Sequence, residues 1–245
     1  MRTSRSTTAV TAALLLTAAG AALPAQGSLS TQGFGYPPGQ VSTRAAATGG
    51  GIAEMDAVSP VNPASLLNWG ASAVFFQAEP EYRTVTVNGQ ATRTTTWRYP
   101  LTMGALSLGP RAIVALSSST LLDRTWSTTE EGGIDVEGTP TAAVTTYRSE
   151  GAINDIRLAG AYAPRPWLRF GLGAHAFTGR NLLTVRSDFL DSLTFTPLES
   201  NTSISYGGNA VSAGVEARFA RNFSVAASGR VGGSITAERN DTTLS

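Results

Sequence analysis

A chain of 245 residues with 26 Gly, 42% hydrophobic and only 14% charged residues is neither a disordered tail nor a typical helical protein, and its length suits one β domain or two small ones. Lys+Arg at 18 against Asp+Glu at 17 leave a formal net charge of +1, too weak a field to hold phosphates, so nucleic acid is not an expected partner. Cysteine is absent, which removes disulfides, thiol nucleophiles, cysteinyl metal sites and lipid attachment through an N-terminal Cys.

Residues 1–25 read as an export signal. Arg2 and Arg5 form a positive start, Ala9 to Leu23 is apolar and rich in Ala and Leu, and Ala25 or Gly27 offers a small residue for cleavage near Gln26. The apolar run is shorter than the ~20 residues of a spanning helix. No later run is long enough either, so a membrane protein here has to cross with strands. Residues 26–70 follow as a Gly/Pro/Ala-rich segment with little alternation and with breakers at Pro37-Pro38 and Gly49-Gly50-Gly51.

From Ala71 the pattern changes to long period-2 alternation. The spacing predicts strands over 71–87, 90–108, 111–128, 147–163, 167–187, 203–220 and 223–238. Val211, Ala213, Val215, Ala217 and Phe219 share one face, while Ser212, Gly214, Glu216 and Arg218 share the other. In the last strand Phe223, Val225, Ala227, Val231 and Ile235 are assigned to one apolar face. A soluble sandwich places large side chains in a core and polar ones in water; a barrel in lipid turns the oily face outward and tolerates Gly, Ser and isolated charges inside. The second description fits these faces better.

The expected turns are Asn88-Gly89, Gly109-Pro110, Pro164-Arg165-Pro166 and Arg221-Asn222, with long connections at Thr129 to Thr146 and Asp188 to Thr202. If the first strand runs outward, both long connections fall outside and three short turns inside, the asymmetry of outer-membrane barrels. Tyr162, Trp167, Phe219 and Phe223 flank the inner turns, as girdle aromatics do.

The segment Ala46 to Leu67, with Gly49 to Gly51, then Glu54 and Asp56, then Asn62-Pro63-Ala64, resembles the opening of the long-chain fatty-acid transporter-like outer-membrane family, which includes barrel relatives associated with type IX secretion. Met55 stands where a second acidic residue is frequent in that family. The resemblance implies an N-terminal plug folded into the lumen, with the Asn-Pro-Ala turn leading into the first strand. Physically, Asn62 can cap that turn and Pro63 holds Asn62 extended. Family barrels have more strands and end on an aromatic, so about seven strands ending at Ser245 imply a fragment, or a chain that must associate to close.

Chemistry-bearing motifs are few. His175 is the single histidine, read as a polar residue on the inner face with no neighbouring carboxylate, and Glu130, Glu131, Asp135 and Glu137 read as a solvated acidic loop. No catalytic, metal or cofactor-binding residue is assigned, and an enzyme is not expected. The resulting expectation is an all-β, antiparallel up-and-down transmembrane β-barrel, incomplete at its C-terminal side, with residues 26–70 as plug and 71–245 as wall. It would reside in the bacterial outer membrane and act as a passive channel or binder for hydrophobic small molecules. Gly49, Gly50, Gly51, Asn62, Pro63 and Ala64 are the candidate gating residues. Two alternatives stay open: a non-transporting barrel that partners a secretion or surface-assembly system, and a secreted soluble β sandwich or adhesin.

Overall fold

The computed structural model describes residues 35–38, 41–87, 90–136, 139–190, 196–220 and 223–244. The signal reading at 1–25 and the turns Asn88-Gly89 and Arg221-Asn222 lie outside the described residues. Eight antiparallel strands form one sheet: β1 (Ala73–Val87), β2 (Gln90–Ser107), β3 (Ala112–Asp123), β4 (Trp126–Val136), β5 (Thr139–Arg165), β6 (Leu168–Phe189), β7 (Leu198–Ala220) and β8 (Phe223–Leu244). Their order is β1-β2-β3-β5-β6-β7-β8, with β4 on β5. The path does not return on itself, and β1 and β8 are its two edges.

Two sequence expectations are corrected here. Thr129 to Thr146 is not a long loop: β4 pairs with the upper part of β5, Trp126 opposite Ser149 through to Val136 opposite Thr139. β3 lies beside the lower part of the same strand, Ala112 opposite Tyr162 through to Asp123 opposite Ala152. β3 and β4 are therefore collinear along the 27 residues of β5, parted at Arg124-Thr125. No apolar stripe marks the segment because Thr and Ser occupy both faces; β-branched Thr suits a strand without giving such a stripe.

The second correction concerns β8. Gly232 and Gly233 have φ of 96° and 93°, a left-handed backbone that a β-carbon resists. They carry a bulge: Ala210 faces Gly232, yet Gly208 faces Ile235. One extra residue inverts the alternation. Ile235 consequently falls in the register row of Gly208, inward-facing Phe177 and Asp155, not on the face of Phe223.

The two faces of the sheet differ in kind. One register row runs Val74, Gly104, Leu116, Leu158, Ala174, Val211, Val231 across seven strands. Its large members are 81%, 58%, 61%, 61% and 75% exposed in that order. The row on the opposite face runs Phe75, Met103, Ser117, Arg157, His175, Ala210, Gly232. Here Ser117, Arg157 and His175 are buried. The oily face is open and the polar face is covered, the reverse of a water-soluble sheet.

The cover is the segment before β1. It contains α1 (Thr43–Ala46), capped by the Ser42 side chain, and a 3-10 helix, Pro63–Asn68, capped by Asn62. The helix packs on β3, β5, β6 and β7. Leu66 anchors it among Met103, Ala105, Ile113, Ala115, Ala159 and Ala161, with Leu67, Trp69 and Phe75 alongside. Burying Leu66 completely contributes about 1.5–3 kcal/mol, and the alanines opposite leave the room it fills. Residues 35–38 make a further contact at the β3–β4 break, where Tyr36 exchanges backbone hydrogen bonds with Asp123 and Arg98 lies 4.9 Å over the Tyr36 ring.

Candidate functional site

The covering segment is fastened by three polar devices. The first is internal. Asp56 is buried and its carboxylate accepts hydrogen bonds from the Ser42 and Ser59 hydroxyls and from the Arg44 guanidinium. Ser42 N–H donates in turn to Ser59 Oγ at 2.9 Å. Burial alone pushes the Asp56 carboxyl up; the hydroxyl donors and Arg44 outweigh it and hold the group below its ordinary 3.8.

The second device is a notch in the wall. Gly171 of β6 and Gly214 of β7 are direct register partners, and Asn62-Pro63-Ala64 sits on the pair. A β-carbon on Gly171 would overlap Ala64 N and the Pro63 carbonyl carbon, and one on Gly214 would overlap the Asn62 amide oxygen. Asn62 Oδ1 accepts from Ala64 N–H at 2.9 Å, and its Nδ2 donates to the Val215 carbonyl at 3.3 Å. One side chain thus closes the turn and binds it to the wall.

The third device is ionic. Glu216 is 1% exposed and pairs with Arg169 at 3.3 Å and Arg218 at 3.0 Å. Asn68 bridges helix and wall: its Nδ2 donates to Glu216 Oε2 and to the Met55 carbonyl, both at 2.8 Å, while its Oδ1 accepts from Arg169 and Arg218. Glu54 accepts from Ser228 Oγ on β8 at 2.9 Å.

Of the six residues singled out from the sequence, the structure brings Asn62, Pro63 and Ala64 together as the seated, buried turn. Gly49 to Gly51 lie apart, as the turn that follows α1. Gly49 and Gly50 have φ of 63° and 83°, and their amides bond the Ala46 and Ala45 carbonyls at 2.9 Å. A β-carbon on either would meet nothing within 4 Å. Their requirement is conformational. An open cleft of about 510 Å³ lies between this segment and β1, lined by Ser42, Arg44, Val58, Phe75, Phe76 and Gln77 among others, within the size range of small-molecule pockets.

His175 also needs correction, because it does have a carboxylate neighbour. Its Nδ1 lies 2.9 Å from both Asp155 oxygens and its Nε2 lies 2.8 Å from Ser212 Oγ. All three residues are buried. The three stand on β5, β6 and β7, one register row apart at each step, since Arg157 faces His175 and Ser212 faces Gly173. Diagonal neighbours of this kind are reached by long side chains. The signal was available in the sequence: pairing β5 with β6 about Pro164-Arg165-Pro166 puts positions 155 and 175 on the same face, close together.

Among the described residues no group of His, Asp and Glu has the arrangement of a metal site, and no helix is long and apolar enough to cross a membrane. Comparison with protein-family models, curated proteins and solved structures finds no match.

Proposed function

We propose that this chain supplies wall and plug of an outer-membrane β-barrel that binds or passes hydrophobic small molecules, the plug being the segment 41–70 seated on Gly171 and Gly214. The observation that carries this reading is the exposed apolar belt. Along β6 its outward positions run from Leu168 to Ala176, about 27 Å at ~3.4 Å per residue. With a tilt of 35–45° that is about 20 Å of membrane normal, close to the ~25 Å apolar band of such barrels. Above it the outward row becomes Thr120, Asn154, Thr178, Gly207 and Thr236; Tyr162 and Phe170 are exposed in its lower part, and Trp167, Phe219 and Phe223 below it near the short turns.

Magnitude favours this reading over a soluble protein. Seven strands at ~4.8 Å spacing and a belt of this height give an apolar area of roughly 900 Å², well above the few hundred Å² that monomeric soluble proteins leave open. Lipid is the partner this area fits. Export by a cleaved signal and placement in the outer membrane belong to the same proposal, as does the family resemblance at Gly49 to Gly51 and Asn62 to Ala64.

The test is reconstitution of the full chain into vesicles containing brominated lipid. Trp167, exposed on the wall beside the belt's lower edge, should lose fluorescence relative to unbrominated vesicles. A monodisperse protein in detergent-free saline with an unquenched Trp167 would overturn the reading and favour the soluble alternative. The second membrane reading, an assembly partner without transport, draws support from how firmly the plug is fastened. It predicts that removing residues 41–70 leaves uptake of a hydrophobic dye unchanged, whereas the channel reading predicts a rise.

A further inference from the structure

Beneath the plug, Asp155, His175 and Ser212 form a chain of hydrogen bonds whose last member faces a cavity. The cavity measures about 220 Å³ and is lined by Pro60 and Val61 of the plug and by His175, Ser212, Ser228, Gly229 and Arg230 of the wall. We propose that Ser212 is the nucleophile of a Ser-His-Asp triad that hydrolyses short-chain carboxylic esters in this cavity. The proposal stands apart from the membrane reading, and either can fail alone.

The geometry is that of an activated hydroxyl. The Asp155 carboxylate can only accept, so the imidazole proton belongs on Nδ1, and Nε2 presents its lone pair to the Ser212 O–H at 2.8 Å. Arg230 donates to Asp155 Oδ2 at 3.1 Å, which fixes the carboxylate from its other side. Gly173 gives the nucleophile clearance: a β-carbon there would stand 2.6 Å from Ser212 Oγ and 3.4 Å from Arg157 Cδ. The same figures place Arg157 beside the serine. Its guanidinium is buried and all three of its nitrogens lack a hydrogen-bond partner among the described residues. A buried guanidinium without a hydrogen-bond acceptor costs stability even with the Asp155 charge nearby, and it becomes useful where negative charge develops. A polar network serving the fold alone explains neither the guanidinium without hydrogen bonds nor the cavity at the hydroxyl.

In the proposed reaction Ser212 Oγ bonds to the ester carbonyl carbon while its proton passes to His175 Nε2. The charge on the carbonyl oxygen develops in the field of Arg157. Collapse breaks the bond to the alcohol oxygen, which takes the proton from Nε2 and leaves. Water then adds to the acyl-serine by the same route, giving the acid and restoring the triad, so that ester and water become acid and alcohol. The cavity lies below the ~300–1,000 Å³ of typical ligand pockets, which limits the acyl group to a few carbons.

The test treats folded full chain with a fluorophosphonate and maps the adduct by mass spectrometry, alongside hydrolysis of p-nitrophenyl acetate. The expected result is one phosphonylated residue, Ser212, with labelling and hydrolysis absent in Ser212→Ala. Ser212→Cys provides a second readout in a chain with no other cysteine: it should lose the phosphonate adduct and be alkylated rapidly by iodoacetamide, and His175→Asn should slow that alkylation. Asp155 is a positioning residue, so Asp155→Asn should lower kcat by up to about 10⁴ with KM unchanged. A folded chain that takes no phosphonate at Ser212, or whose hydrolysis survives in Ser212→Ala, overturns the proposal.

Discussion

At Asp56, one buried carboxylate organises the start of the covering segment, and its energetics follow from its donors. Hydrogen bonds to a charged group contribute about 1.5–3 kcal/mol each, so Asp56→Asn is expected to loosen residues 42–59 by about 2–3 kcal/mol, seen as faster proteolysis within that segment. The pH response has a definite sign. Because the folded carboxyl is held below its ordinary 3.8, its stabilisation is complete above the ordinary value and is lost as the pH falls through the lowered one. Plug release in acid should therefore be steeper in the native chain than in Asp56→Asn. The wall side of the contact has an equally local test. Gly171→Ala pushes a methyl into the backbone at Ala64 and should cost about 1–3 kcal/mol. Gly207→Ala, with nothing within 4 Å, should change stability by less than about 0.5 kcal/mol. Sequence alone could flag Asn62-Pro63-Ala64, since Asn capping and a proline-fixed turn are local effects. It could not reveal the Gly171–Gly214 seat, because a glycine's purpose depends on what approaches it from 100 residues away in the chain.

Among the strands, legibility followed the apolar stripe. The faces of β6 and β7 were readable because Leu168, Phe170, Leu172 and Val211, Ala213, Val215 alternate strictly with small or polar residues, and register then carries those faces across the sheet. β4 is not legible where Thr129, Glu130, Glu131 and Gly132 give no side an apolar excess; its existence is decided by the neighbouring edge of β5. Ile235 leaves the face that strict alternation gives it because Gly232-Gly233, two left-handed glycines, absorb an extra residue. The outward stripe has its own measurable consequence. Leu172 is 70% exposed on the belt, so Leu172→Arg should destabilise the protein in vesicles by about 2–4 kcal/mol. The same change in detergent-free buffer should have little effect if the face is wet. Chemical denaturation in the two media distinguishes these outcomes.

Across the whole molecule, the exposed oily face and the covered polar face impose one arrangement on everything else. Charges such as Glu216 and Asp155 are tolerable on the covered face because each is paired, Glu216 with Arg169 and Asp155 with Arg230. Deleting residues 41–70 should accordingly do two things at once: raise entry of hydrophobic dye into loaded vesicles and lower the melting temperature, since Leu66 and the Asn62 turn leave with it. Global topology was only partly foreseeable. Antiparallel neighbours follow from short turns, whereas the pairing of β3 and β4 along a single long strand depends on where the strand opposite it is interrupted, at Arg124-Thr125.

The length of β5 has a further implication. Its 27 residues span roughly 90 Å at ~3.4 Å each, about three times the hydrocarbon thickness of a bilayer. If the belt lies in lipid, more than half of the stave stands clear of it as a hydrophilic chimney of Thr, Ser and Arg. On that reading the rim, rather than the belt, is the first surface that a macromolecule outside the membrane would meet.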